Sequence, residues 1–317
     1  MTQIATSPAI EARRMPAAAR LAAHASRRWP FYSGAGGVAR ATARVAGVEH
    51  GSGFVWAPLR GGAKALVPLD DLVGRAAYFV GDLDPKLSWV VSRILKLGDL
   101  AVDAGANFGL VTLSMARQVG PTGRVEAFEP VPTFADALRQ SLAENAFSQV
   151  TLNEMALGEA PGTAEIAIPA GNTGGASLVP DRYDGGAVTA RHTVTVTTLD
   201  AALDGRGEVA LLKIDTEGFE AAVLRGAERL LSQKAIRAVI LEDWDTAETG
   251  TLAEPGALLA SHGYRIFSIP KRLMVRMRLL PVDEAIATHK VGHDLVALRG
   301  KDAALFRRLG LDPAQKP

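Results

Sequence analysis

Apolar residues recur at helical spacing from Asp84-Pro85 onward, with Leu87, Val90, Val91, Ile94 and Leu95 on one face and Gly98 as a stop. The period then gives way to a short apolar run, residues 100–104, which reads as a buried strand. From there helices and strands alternate. Strands are predicted at 124–128, 150–157, 209–214, 238–241, 264–268 and 294–298, and helices at 110–119, 133–145, 219–231 and 252–262. Such alternation predicts an α/β fold, a doubly wound and mostly parallel sheet with helices on both faces.

Upstream, the pattern predicts an α+β extension. Helices are expected at 17–28 and 38–46, followed by a hairpin in which Phe54-Val55-Trp56 and Ala65-Leu66-Val67 flank the Gly61-Gly62 turn. Residues 1–81 are therefore expected to form an accessory cap, residues 82–300 the main domain and residues 301–317 a C-terminal tail. The main domain carries an insertion at 158–204. Its flanks, 164–168 and 192–197, alternate as strands, and its middle, 171–186, is rich in glycine and polar residues. That middle is expected to be a mobile loop that orders around a substrate.

Composition narrows the function. The 317 residues are 48% hydrophobic and 22% charged with net charge +1, a globular balance that gives no global case for nucleic acid. Cysteine is absent, which excludes disulfides, thiolate nucleophiles and Cys-ligated metals and suits a cytoplasmic protein. No apolar run approaches the roughly 18–20 residues of a membrane span. Arg13, Arg14, Arg20, Arg27 and Arg28 crowd the N-terminus against Glu11, but Arg20 interrupts any signal-like apolar core. The basic run 271–278 lacks interleaved aromatics and reads as a solvated edge hairpin.

The strand at 100–104 turns into a helix through Gly105-Ala106-Asn107-Phe108-Gly109. Gly105, Asn107 and Gly109 tolerate positive φ, and the free N–H groups of the next helix face the turn. Gly105 and Gly109 are separated by three residues, so the dinucleotide fingerprint is absent. The D-x-G-x-x-x-G pattern from Asp103 instead resembles motif I of class I S-adenosylmethionine-dependent methyltransferases. Asp103 ends the strand, where it can hydrogen-bond through the turn. Glu129 closes the next strand before Pro130, placed to accept hydrogen bonds from a ribose diol. Ala156 and Leu157 could flank an adenine.

After the strand at 209–214, Asp215, Glu217 and Glu220 crowd one edge. V-D-A-G-A-N-F-G, E-A-F-E-P, Thr198-Leu199-Asp200 and K-I-D-T-E-G-F-E followed by Val223-Leu224-Arg225-Gly226-Ala227 together resemble the FkbM family of methyltransferases over residues 82–243. The resemblance implies a Rossmann-like class I fold and O-methylation of a hydroxyl on a sugar or secondary metabolite. The cofactor set is then Asp103, Gly105, Asn107, Phe108, Gly109, Glu129, Pro130, Ala156, Leu157 and Asp215.

Candidate bases are Asp215, Glu217, Glu242 and Asp243, with His192 read as a solvated strand residue. Glu217 and Glu220 are expected in a helix's first turn. Asp215, Glu217 and Asp243 could hold Mg²⁺, but no metal is the favoured expectation, and no histidine pair has metal spacing. The expected partner is a small-molecule or glycan acceptor, not nucleic acid, and a homo-oligomer is left open. The competing readings are an N- or RNA-methyltransferase, which predicts a basic cleft, and a non-catalytic binding module.

Overall fold

The computed structural model describes residues 10–48, 53–169, 173–179, 188–270, 277–300 and 302–313. Most of the basic run and most of the 171–186 loop lie outside the described residues. The N-terminal part comprises α1 (Ala17–Ser26), α2 (Ala35–Val45), β1 (Phe54–Pro58), β2 (Lys64–Pro68) and α3 (Leu72–Val80). The main sheet begins with α4 (Pro85–Ile94), β3 (Leu100–Ala104), α5 (Leu110–Val119), β4 (Arg124–Phe128), α6 (Pro132–Glu144) and β5 (Val150–Asn153). Next come β6 (Ala156–Leu157), β7 (Gly162–Pro169) and β8 (Val188–Thr197). The chain then forms α7 (Leu199–Ala202), β9 (Val209–Ile214), α8 (Glu220–Arg225), α9 (Glu228–Ser232) and β10 (Ala238–Glu242). It ends with α10 (Trp244–Thr249), α11 (Glu254–Ser261), β11 (Tyr264–Ile269), β12 (Leu280–Pro281), α12 (Val282–Ala287), β13 (Asp294–Arg299) and α13 (Ala303–Arg308).

Every residue of β9 is buried, which requires cover on both faces of its sheet. That sheet has eight strands in the order β12-β11-β13-β10-β9-β3-β4-β5. Strands β10, β9, β3, β4 and β5 run parallel, and β13 enters antiparallel between β10 and β11. The expected doubly wound, mostly parallel sheet is thus present. Strand order reverses between β3 and β9, which opens a crevice at the carboxyl ends of these strands.

Several elements differ from the periodicity. The run 150–157 divides, because β5 joins the main sheet while β6 pairs with β8 in a separate three-stranded sheet with β7. An apolar run alone does not name its partner. The helix expected at 219–231 breaks at Gly226, where a Cβ would lie 2.0 Å from the Gly158 carbonyl oxygen. Asp200 caps the second piece by accepting from the N–H groups of Arg229 (2.7 Å) and Leu230 (3.0 Å), which gives the Thr198-Leu199-Asp200 motif a structural role. Helix α3, absent from the expected elements, is buried almost all round, with Val73, Ala76, Ala77, Phe79 and Val80 enclosed.

The N-terminal elements share a hydrophobic cluster with the main sheet's helices. Ala19, Ala39, Val55, Val67 and Phe79 join Phe108, Leu113, Phe134 and Ala137. The Leu66 N–H donates to the buried Ser141 hydroxyl at 2.8 Å, and Asn145 exchanges two hydrogen bonds with the Lys64 backbone. At the other end, Leu305, Phe306 and Leu309 pack with Val90, Phe267 and Leu298, so the described part of the tail is docked on the sheet.

Candidate functional site

At the end of β3 the N–H groups of Gly105 and Ala106 both donate to the Phe128 carbonyl, at 3.1 and 2.9 Å. This hooks the turn onto the end of β4. Gly105 has φ +75°, and a Cβ there would stand 1.9 Å from the Asp215 carbonyl oxygen. The glycine is therefore demanded by the close approach of its own neighbouring strand. Asn107 also adopts positive φ, and its N–H donates to Glu129 at 2.7 Å. Gly109 does not line the cavity; a Cβ there would meet the Leu138 side chain at 2.2 Å, so its smallness serves helix packing.

Glu129 is 4% exposed, and its other carboxylate oxygen accepts from the Val131 N–H at 2.8 Å. Burial pushes its pKa up to about 7, against the pull of those two N–H groups. Each oxygen retains a lone pair for a further donor.

Beneath the turn lies a residue whose role the sequence reading missed. Lys213 is buried on β9, directly opposite Asp103 in the strand register. Its ammonium donates to the Gly105 carbonyl at 2.8 Å and stands 3.2 Å from Asp103 and 3.4 Å from Asp215. Burial alone would lower its pKa, but the Asp103 and Asp215 carboxylates outweigh this and hold it above the ordinary lysine range. Asp103, fully buried, accepts from the Thr112 hydroxyl at 2.6 Å and does not line the cavity. It is placed to support Lys213 and the turn, in contrast to the direct contact expected of it. A charged residue inside an apolar strand, L-L-K-I-D, was the available signal.

The cavity at this edge has a volume of about 280 Å³. Gly105, Asn107, Phe108, Glu129 and Pro130 line one part, and Phe128, Ala156 and Leu157 give it apolar walls. Asp215, Glu217 and Glu242 line it as well, with carboxylate oxygens within 4.8 Å of one another. Such oxygens could bind a hard cation or a hydroxyl proton. Leu72 and Val73 of α3 reach the same cavity, as do Gly174, Ala176 and Leu178 from the insertion. This described part of the 171–186 loop is pinned rather than loose: Ser177 bridges to Ala167, and its hydroxyl donates to the Glu217 carbonyl at 2.6 Å.

Two expectations are corrected here. Asp243 does not face the cavity; both its oxygens are taken by Thr246, the N–H at 2.8 Å and the hydroxyl at 2.9 Å, as the N-cap of α10. Its neighbour Glu242 takes the cavity position, because successive strand residues point to opposite faces. Glu217 is not in a helix's first turn but in the preceding loop, at φ +54°. Glu220 organises that loop, accepting from the N–H groups of Thr216 and Gly218. His192 sits opposite Ile166 on β8 and does not line the cavity.

Burial, followed by the Asp215 and Glu217 carboxylates, pushes Glu242 up to about 9. Its register partner Asp294 is pushed up to about 7, chiefly by burial. With Glu129, these acids keep protons that an unfolded chain releases near pH 4–5. The folded state therefore binds more protons over about pH 5–9, so stability falls as pH rises through that window. Chemical denaturation of the ligand-free protein across this range should show the decline, with Glu242→Gln flattening its upper part. A rise in stability would contradict it.

A family model described as the methyltransferase FkbM domain matches residues 103–266. The chain belongs to this family. Among its relatives is methyltransferase sdnD of Sordaria araneosa, 31% identical over 195 residues, 52% of this chain and 73% of that protein. This makes the FkbM-domain chain an S-adenosylmethionine-dependent methyltransferase, as the sequence resemblance implied. Solved structures similar to it include precorrin-6y C5,15-methyltransferase from Geobacter metallireducens, with 15% identity and TM-score 0.38 over 67% of this chain and 88% of that one. Another is the O-methyltransferase TomG from Streptomyces achromogenes, involved in tomaymycin synthesis and solved with SAM, with 13% identity and TM-score 0.38 over 68% and 79%.

Proposed function

We propose that the protein transfers a methyl group to a hydroxyl of a small-molecule or glycan acceptor. The observation that carries this reading is the Asp215 carboxylate, which lines the same cavity as the glycine turn and Glu129 while lying against the Lys213 ammonium. S-adenosylmethionine, when bound, supplies a methyl group activated by a sulfonium. The donor set fits it: Glu129 offers acceptor lone pairs to a ribose diol, and Phe128, Ala156 and Leu157 offer apolar walls to an adenine. Lys213 fixes the Gly105 carbonyl, and with it the turn.

Asp215 then orients the acceptor hydroxyl and takes its proton, while alignment in the cavity supplies most of the acceleration. Leu72 and Val73 of the N-terminal cap, with Ala176 and Leu178 of the insertion, exclude water and contact the acceptor. RNA is a poor match, because Lys213, the one cation of the described lining, is already engaged by Asp103 and Asp215. Among the described residues no helix is long and apolar enough to cross a membrane.

Calorimetric titration should find one site per chain for S-adenosylmethionine or its demethylated product. Glu129→Ala should weaken it by about 1.5–3 kcal/mol, roughly 10- to 150-fold, the loss of hydrogen bonds to a charged group. No heat and no thermal shift at millimolar ligand would end the reading, and unchanged affinity in the variant would place the ribose elsewhere.

A further inference from the structure

The charge of this chain is unevenly placed. Residues 1–48 hold seven arginines against one acid, Glu11, a net charge of +6, although the whole chain nets only +1. The remaining residues, with 28 basic side chains against 33 acidic ones, net −5. Helices α1 and α2 fix much of the positive charge in place. Ala19 and Ala23 of α1 and Ala35, Ala39 and Ala43 of α2 are buried in the cluster that includes Ala76, Ala77 and Phe79 of α3. The Ser26 hydroxyl and the Arg27 guanidinium donate to the Phe79 and Tyr78 carbonyls, at 2.5 and 2.7 Å, which fastens the end of α1.

The other sides of these two helices face solvent. Leu21 lies two residues from both Ala19 and Ala23, across α1 from the buried stripe, and is 71% exposed. Val45, two residues past Ala43 at the end of α2, is 86% exposed. Arg14, Arg20, Arg28, Arg40 and Arg44 are exposed on and beside the same helices, and α1 and α2 contain no acid and no Phe, Tyr or Trp. The exposed alanines Ala17, Ala18, Ala25 and Ala41 rise little above the backbone, so the ends of the arginines, Leu21 and Val45 project furthest.

A partner for this surface must be anionic and must be apolar just beneath its charges. Single-stranded nucleic acid asks for rings on which bases stack, and these helices offer none. An anionic bilayer meets both demands: its phosphates accept hydrogen bonds from guanidinium groups, and the acyl boundary below them takes leucine and valine ends. The acidic balance of the rest of the chain is repelled by the same surface, which leaves α1 and α2 as the side that docks.

We propose that the outer face of α1 and α2 docks on an anionic lipid bilayer, with Arg20 and Arg40 against lipid phosphates and Leu21 and Val45 inserted among the headgroups. This docking is independent of the methyl-transfer reading. Helix α3, beneath α1 and α2, lends Leu72 and Val73 to the cavity, so the bilayer lies on the cap side of that cavity.

The test is sedimentation of the full chain with vesicles of phosphatidylglycerol or of phosphatidylcholine. The wild type should bind the anionic vesicles at least tenfold more tightly than the neutral ones, and high salt should weaken that binding. Arg20→Glu/Arg40→Glu should weaken it at least tenfold and Leu21→Ser/Val45→Ser at least threefold. The control Arg124→Glu/Arg307→Glu makes the same change in net charge at exposed positions outside the cap and should stay within about threefold of wild type. The four side chains altered in the cap are exposed, so thermal unfolding of each variant should match the wild type.

Equal binding to the two lipids, insensitivity to salt, unchanged binding in either folded cap variant, an equal loss in the control, or tighter binding of single-stranded RNA than of the anionic vesicles would overturn the proposal. The lipid and salt comparisons need no substitution, so they decide it even where a variant fails to fold.

Discussion

Replacing Lys213 with methionine should destabilise the fold by about 3–5 kcal/mol, the usual consequence of leaving a buried charge without its partner. Asp103 is fully buried and relies on the Lys213 ammonium at 3.2 Å, with Thr112 as its hydrogen-bond donor. Methionine matches the length of the lysine stem but supplies no donor, so the Gly105 carbonyl also loses its partner. Against a typical total stability of about 5–15 kcal/mol, the loss should be plain in urea denaturation. The double variant Lys213→Met/Asp103→Asn should recover part of it, because the uncompensated carboxylate is gone. A loss below about 1 kcal/mol, or no recovery in the double variant, would show that the Asp103–Lys213 pair is not what holds the turn.

Asp215→Asn should lower turnover by roughly 10²–10⁴ while leaving cofactor affinity within about threefold, the usual contribution of a general base. The substitution keeps the shape of the side chain and its place near Lys213 but removes the site that takes a proton. Glu242, which burial and neighbouring acids push up to about 9, holds its proton at neutral pH and is the weaker candidate for that task. Single-turnover rates with and without chelator separate the alternatives. Proton transfer to Asp215 predicts wild-type rates indifferent to chelator, whereas a cation held by Asp215, Glu217 and Glu242 predicts loss with chelator and return with Mg²⁺. Wild-type turnover in the variant would end the catalytic role of Asp215.

Much of this architecture was legible from local pattern. The alternation of periods predicted the parallel sheet, and most strands of the core fall within a residue or two of their expected limits. Turn chemistry carried further: Gly105 and Asn107 adopt the positive φ that their types suggested. The failures share a cause. Asp243 and Glu242 are adjacent acids, and only the register of β10 against β9 and β13 decides which faces the cavity. Helix α3, absent from the expected elements, is enclosed on nearly every side, and that enclosure is a property of its neighbours and not of its own residues.

By itself, then, the amino-acid sequence determined the alternating elements, the glycine turn after β3, the acid closing β4 and the family resemblance. Each of these depends on residues close in the chain, where sterics and periodicity act. Tertiary structure alone decided that Lys213 meets Asp103 across 110 residues of sequence, the difference between those two positions, and that Asp215, Glu217 and Glu242 share one cavity. It alone placed Leu72, Val73, Ala176 and Leu178 around that cavity. Those juxtapositions follow from strand register and from which faces bury together, and burial is a free energy of the whole packed chain that no local window contains.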